Sequence, residues 1–209
     1  AYQEREVATR GQKPPQGAVV LLPYQDGKVT SAVEWDNDTW DLMADGSLEV
    51  GKGYCKTKQQ FGSCLLHVEF ATPLMPYEFG QGRGNSGVYL MGRYEVQVLD
   101  SFGDNPGEGN CGGIYGNATP RVPYLELPPL QWQTYDITFR APQIDGNGNV
   151  TRRACFEKVI HNGVLIHENI EVAKPTVSSL WNDQIAKAPF ALQDHGNPVR
   201  FRNIWLQTK

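Results

Sequence analysis

The stretch Arg93-Tyr-Glu-Val-Gln-Val98 sets a guanidinium, a carboxyl group and an amide at every second position. Side chains two apart on a β-strand share a face, so Arg93, Glu95 and Gln97 project together while Tyr94, Val96 and Val98 turn toward a core. The same parity pairs His67 with Glu69, opposite Leu66, Val68 and Phe70, and pairs Gln193 with His195. Taken singly, each strand reads as the solvated outer side of a sheet. Taken together, these faces carry groups that move protons and hydrogen-bond hydroxyls, where Thr, Lys and Ser are the usual decoration. The chemistry they suit is acid/base work on a sugar.

Many short strands must present those faces. The 22 Gly and 14 Pro are spread along the chain and punctuate alternating runs at 18–22, 39–42, 47–50, 63–70, 86–91, 94–99, 133–139, 154–161, 164–170, 190–194 and 199–206. Only short segments such as 177–184 have any helical character. Asn162-Gly163 between two alternating runs specifies a type I′ hairpin. The pattern predicts an all-β sandwich formed by one domain over 1–209, with 1–16 as an N-terminal extension. The Gly/Pro/Asn-rich excursion over 101–129 is long enough to lie over a site. Asp145-Gly-Asn-Gly-Asn149 lacks the glycine and the distal glutamate of a calcium loop and reads as a hairpin turn, so a structural calcium has no support and no cofactor is required.

A net charge of -4 gives nucleic acid no basic patch to bind, and no apolar run approaches the ~20 residues of a membrane span. The first residues are polar and begin at Ala1, so a signal peptide is expected to have been removed already. Cys55, Cys64, Cys111 and Cys155 have no zinc spacing. Cys55 and Cys64 flank a Gly-containing turn and read equally as a hairpin disulfide or as two buried thiols.

The segments RGNSGVYLMGRYEVQVLDS (83–101), GGIYG (112–116), WQTYDITFRAP (132–142), HNGVLI (161–166) and LQDHGNPVRFRNIWL (192–206) resemble, in order and over nearly the whole chain, the 3-keto-disaccharide hydrolase domain family. The resemblance implies a concanavalin A-like jelly-roll sandwich of two antiparallel sheets, export to the periplasm or beyond in bacteria, and action on glycosides oxidised at the third carbon. A ketone there acidifies the proton on the second carbon, so one base, one acid and donors near the oxyanion suffice for net hydrolysis or elimination.

Glu95 is the first candidate for that acid or base, and Arg93 beside it is expected to lower its pKa and favour the base role. His195 is the second candidate, and is equally a loop histidine before the resemblance is added. Glu69 is a weaker catalytic candidate, with His67 orienting substrate. Gln97, Gln193 and Arg202 are expected to bind hydroxyls or the keto oxygen, with Arg83 and Asn85 shaping the rim. Tyr115 and Trp132 are candidates for stacking on a sugar, with core packing as their other role. A carbohydrate-binding module on the same fold is the second functional reading. A laminarinase-like glycosidase would need a second acid where Gln97 stands.

Overall fold

The structure, a computed structural model, describes residues 7–23, 35–37 and 39–209. Strands β1 (Val19–Leu22), β2 (Asp41–Leu42), β3 (Leu48–Glu49), β4 (Cys55–Phe61) and β5 (Cys64–Ala71) precede a hairpin of β6 (Ser86–Leu90) and β7 (Tyr94–Val98). After the long excursion come β8 (Gln133–Arg140), β9 (Gln143–Ile144), β10 (Val150–Arg152), β11 (Ala154–His161), β12 (Val164–Val172), β13 (Ala188–Leu192) and β14 (Arg200–Thr208). Among the described residues no α-helix forms, so none is long and apolar enough to cross a membrane, and 177–184 is irregular.

The strands build a large antiparallel sheet in the order β12-β11-β8-β5-β14-β3-β2, with β1 also paired to β14, and a small one in the order β4-β13-β6-β7. This is an all-β jelly-roll sandwich. Alternation places Leu66, Val68 and Phe70 of β5 and Ile137 and Phe139 of β8 in the core, where they meet Val88 and Leu90 of β6, Val96 and Val98 of β7, and Phe190 and Leu192 of β13. The Tyr94 ring of β7 lies 5.5 Å from that of Phe139, centroid to centroid, across the two sheets. Burying side chains of this size contributes roughly 1.5–3 kcal/mol each, and this packing holds the sheets face to face.

Two turns run as read. Asn162 and Gly163 have φ of 50° and 82°, the left-handed pair of a type I′ turn between β11 and β12. The Asp145 carboxylate accepts from the backbone N–H groups of Asn147 and Asn149, so DGNGN is a turn held by its own aspartate. The polar stretch 55–61 departs from expectation: it is strand β4, at the edge of the small sheet. The chain changes sheets at Gly62, where a Cβ would lie 2.8 Å from the Ala186 carbonyl oxygen. Cys55 and Cys64 therefore belong to different sheets, and all four cysteines are buried free thiols. Mass spectrometry without reduction is expected to find no joined cysteine peptides, with the thiols alkylated only on unfolding. Burial, which pushes Cys55 and Cys64 up to about 12, keeps them inert in the native state.

Candidate active site

Outward-facing residues of the small sheet form a cleft. Glu95 on β7 pairs across the hairpin with Tyr89 on β6, and Gln97 pairs with Gly87. Gln193 continues from β13, its backbone N–H donating to the Gly87 carbonyl. Gly87 leaves a hole in this face: a Cβ there would lie 2.3 Å from Glu95 Oε1 and 2.8 Å from Tyr89 Cε2. Only glycine lets the carboxyl lie across its own strand neighbour. Asn85, Tyr115 and His195 complete the rim, and Val177 and Ser178 close over one side. The cavity is narrow, about 30 Å³ of interior room and about 220 Å³ with its mouth.

The amides of this cleft are oriented by their nitrogens. Asn85 Nδ2 donates to the Gln81 backbone carbonyl (2.8 Å), and Gln97 Nε2 donates to Gln81 Oε1 (3.0 Å) and the Gly109 carbonyl (3.2 Å). Gln193 Nε2 donates to the hydroxyls of Tyr54 (2.9 Å) and Tyr89 (3.3 Å). Those hydroxyls send their own hydrogens elsewhere, Tyr54 to the Ser178 carbonyl and Tyr89 to Glu95 Oε2 or the Val177 carbonyl. With the nitrogens so committed, the amide oxygens of Asn85, Gln97 and Gln193 are left buried and, among the described residues, without a donor. Three unmet acceptors in one small cleft are costly in a folded protein unless a ligand meets them.

Glu95 itself is 2% exposed, and the hydrogen bond that Tyr89 donates to it measures 2.7 Å. Burial pushes its carboxyl up to about 8, and the Tyr89 bond offsets only part of that rise. The Arg93 guanidinium, expected to hold it down, is taken up elsewhere: Nε donates to the Asp183 carbonyl (2.7 Å), Nη1 to the Met91 carbonyl (3.0 Å), and Nη2 to the Asp183 carboxylate. Burial therefore favours the protonated carboxyl, the opposite of the lowering that the neighbouring arginine suggested. His195 is exposed on the same rim, on a turn in which Asp194 accepts from the N–H groups of Gly196 and Gly53.

Residues 17–207 match the family described as the 3-keto-alpha-glucoside-1,2-lyase-like domain. The chain belongs to that family. It is also similar to a solved structure from Parabacteroides distasonis, described as a putative glycosyl hydrolase, at 31% identity over 93% of this chain and 85% of that one, with a TM-score of 0.81. A second structure from the same organism and with the same description shares the fold at 15% identity, with a TM-score of 0.65 over 93% and 94% of the two chains. No curated protein matches the chain.

In this member of the 3-keto-alpha-glucoside-1,2-lyase-like family, the other candidates lie elsewhere. Glu69, His67 and Arg202 sit on the outer face of the large sheet, on the far side of the sandwich from Glu95, so they do not share its cleft. His67 Nδ1 lies 2.7 Å from Asp136 Oδ1, Arg202 Nε donates to Glu69 Oε2 (2.7 Å), and Asn203 Nδ2 donates to Glu69 Oε1 (2.9 Å). The N-terminal segment covers this cluster, with the Gly11 N–H donating to Glu69 and the Gln12 carbonyl accepting from Asn203. Burial alone would raise Glu69, but its bonds to His67, Asn203, Gly11 and Arg202 hold it at about 2. Burial likewise lowers His67, and its two carboxylate partners outweigh that, leaving it raised. These are paired charges that fasten the N-terminal segment. Trp132 is on the same side, stacked by the Arg202 guanidinium at 4.1 Å, and is neither in the core nor at the cleft. Arg83 braces the long excursion through Asp100 and Asp104 and does not shape the rim.

The sequence reading missed Gly87, Tyr89, Tyr54, Gln81 and Thr176. Parity on β6 offered a signal for the first two, since Val88 and Leu90 face the core. Tyr54 and Thr176 lie in irregular segments and Gln81 in the short 3-10 turn Gly80–Gly82, and they have none. Glu126, within the excursion, is a further buried carboxyl pushed up to about 8, with both oxygens bonded to Ser101.

Glu95 and Glu126 hold a proton in the folded state that the unfolded chain releases above its ordinary carboxyl range. Stability is thus greatest below about pH 4.5 for these two groups and is lost as pH rises toward 8, by up to ~1.4 kcal/mol per pH unit for each. Denaturant unfolding at pH 5.5 and 8 is expected to show this fall, to which the raised His67 adds and which the lowered His167 opposes, and Glu95→Gln is expected to flatten it in part. A slope identical in the variant would mean that Glu95 is already ionised in the folded protein.

Proposed function

We propose that this protein cleaves glycosides whose third carbon is a ketone, by removing the proton from the second carbon, and that Glu95 and His195 are its acid and base. The observation that carries this reading is the neutral, buried carboxyl of Glu95 set beside three unmet amide oxygens over Gly87. Acceptors without donors suit a polyol, whose hydroxyls supply the missing hydrogens. A carboxylic acid kept neutral near pH 7 suits a keto oxygen, to which it can donate as negative charge develops. The amides, having turned their nitrogens away, bind hydroxyls and not the ketone.

The steps balance with two protein groups. His195 takes the proton from the second carbon, and the electron pair moves onto the keto oxygen, which receives the Glu95 proton. When the pair returns, the bond from the first carbon to the departing oxygen breaks, Glu95 recovers its proton, and the imidazolium protonates the leaving alcohol. The product is an unsaturated keto sugar, and later addition of water makes the net outcome hydrolysis. Tyr115, at the rim, is placed to face the sugar ring.

Aglycone release should be measured on a glucoside and on its 3-keto derivative, and only the keto substrate is expected to react. Glu95→Gln keeps the shape and removes the titratable proton, with an expected loss of ~100-fold or more in kcat. Gly87→Ala drives a methyl group into the carboxyl and is expected to reduce kcat comparably while the strand pairing survives. Deuterium on the second carbon should slow the wild type where proton removal limits the rate. Equal rates on both glucosides would overturn the substrate class. Sugar binding without cleavage of either would make the protein a carbohydrate-binding module.

A further inference from the structure

The tight turn joining β6 to β7 does more than reverse the chain. Met91 and Gly92 have φ of 57° and 60°, the left-handed pair of a type I′ turn, and the turn points its carbonyls at the segment 173–187. The Gly92 carbonyl accepts from the Leu180 N–H (2.9 Å), and the Arg93 carbonyl accepts from the Thr176 N–H (2.8 Å) and hydroxyl (3.1 Å). That Thr176 hydroxyl accepts in turn from the backbone N–H of Glu95 (3.2 Å). The Trp181 ring packs flat on the turn, so close that a Cβ on Gly92 would lie 2.6 Å from it. The Arg93 guanidinium lies over the same ring: its carbon is 5.0 Å from the Trp181 ring centre, and its nitrogens hold Asp183 by carbonyl and carboxylate. The 173–187 segment is thus fastened at Thr176, Leu180, Trp181 and Asp183. Between the first two anchors, Val177 and Ser178 form the cover of the cleft.

We propose that Arg93 is a positioning residue for Glu95, acting at a distance by pinning the 173–187 segment that keeps water off the carboxyl. Arg93 is 2% exposed, and all its polar contacts go to Asp183 and the turn. The groups that face Glu95 are Tyr89 from β6, Tyr54 from the approach to β4 and His195 from the turn after β13; the segment itself brings only Thr176, Val177 and Ser178 there, none of them charged. Among the described residues no lysine or arginine lines the cleft with it, and burial is the largest influence on the carboxyl, so what decides its state in the unliganded protein is chiefly the exclusion of solvent. Loosening the anchor admits water above Val177 and lets Glu95 ionise at lower pH. The role of Arg93 in chemistry rests on the reading of Glu95 as the acid, but its effect on the carboxyl does not.

The test reads the carboxyl directly. Carbon NMR of the Glu95 side chain in the unliganded protein gives its titration midpoint in the wild type, in Arg93→Met, and in Asp183→Asn, whose aspartate side chain is exposed enough for the fold to tolerate the change. Both variants are expected to lower the midpoint, Arg93→Met by about two pH units, which at pH 7 would cut the protonated fraction roughly 10-fold. The rate on the keto substrate, taken relative to the wild type at the same pH, should fall by a similar factor at pH 7 and return toward the wild-type value at pH 5. A Glu95 midpoint unchanged in both variants would overturn the proposal, as would a loss of rate that is the same at every pH. A shifted midpoint in a protein whose wild type cleaves no keto-glycoside would leave the positioning role standing and remove the functional reading alone.

Discussion

A carboxyl group taken out of water with, among the described residues, no lysine or arginine beside it in the cleft is the constraint on which this structure turns. Glu95 could have been neutralised by the guanidinium two residues away, and it is not, because Arg93 is spent on Asp183 and on the turn. What remains is a neutral acid on the face of a β-sheet, held by one tyrosine and lying over a strand glycine. Each neighbouring feature follows from keeping it there: Gly87 makes the room, Tyr89 fixes one oxygen, and the 173–187 segment excludes solvent.

Two polar clusters on opposite faces of one sandwich obey different rules. Under the N-terminal segment, the Glu69 carboxylate is met by donors from Arg202, Asn203 and Gly11, and His67 lies against Asp136. Both Glu69 oxygens are met there, and Asp136 keeps one buried oxygen without a donor among the described residues. In the cleft, three amide oxygens meet no donor among the described residues, and burial pushes the Glu95 carboxyl toward its protonated form. Residue types are nearly the same in both places. The difference is one of degree: under the N-terminal segment ion pairs use up most of the hydrogen-bonding capacity, and in the cleft three amide oxygens converge with none of theirs used.

The fold was legible because alternation and turn chemistry are local. Asn162-Gly163, the core parity of β5 and β7, and the turn at Asp145 all follow from a few neighbouring residues. Strand β4 was not, since Lys56, Lys58, Gln59 and Gln60 carry no apolar alternation and pair only because β13 lies beside them. Parity also found Glu95, Gln97, Gln193 and His195, but could not tell which sheet a strand would join, and so merged His67 and Glu69 with them. At Asn203, φ is 45° and the register of β14 shifts, so Arg202 and Asn203 both face outward, which no strict alternation predicts. The direction of the Glu95 pKa was hidden for a related reason: sequence proximity to Arg93 says nothing about where a long side chain ends.

The Tyr89 hydroxyl lies within reach of two acceptors, Glu95 Oε2 and the Val177 carbonyl, with a single hydrogen to give. Against a neutral carboxyl the two compete on near-equal terms. An ionised carboxylate is the stronger acceptor and claims the hydrogen outright, so the Val177 carbonyl loses its tether in the instant that Glu95 parts with its proton. Ionisation of Glu95 and the hold on Val177 are therefore opposed: the cover shares the Tyr89 hydrogen while the carboxyl is neutral and loses it when the carboxyl is charged.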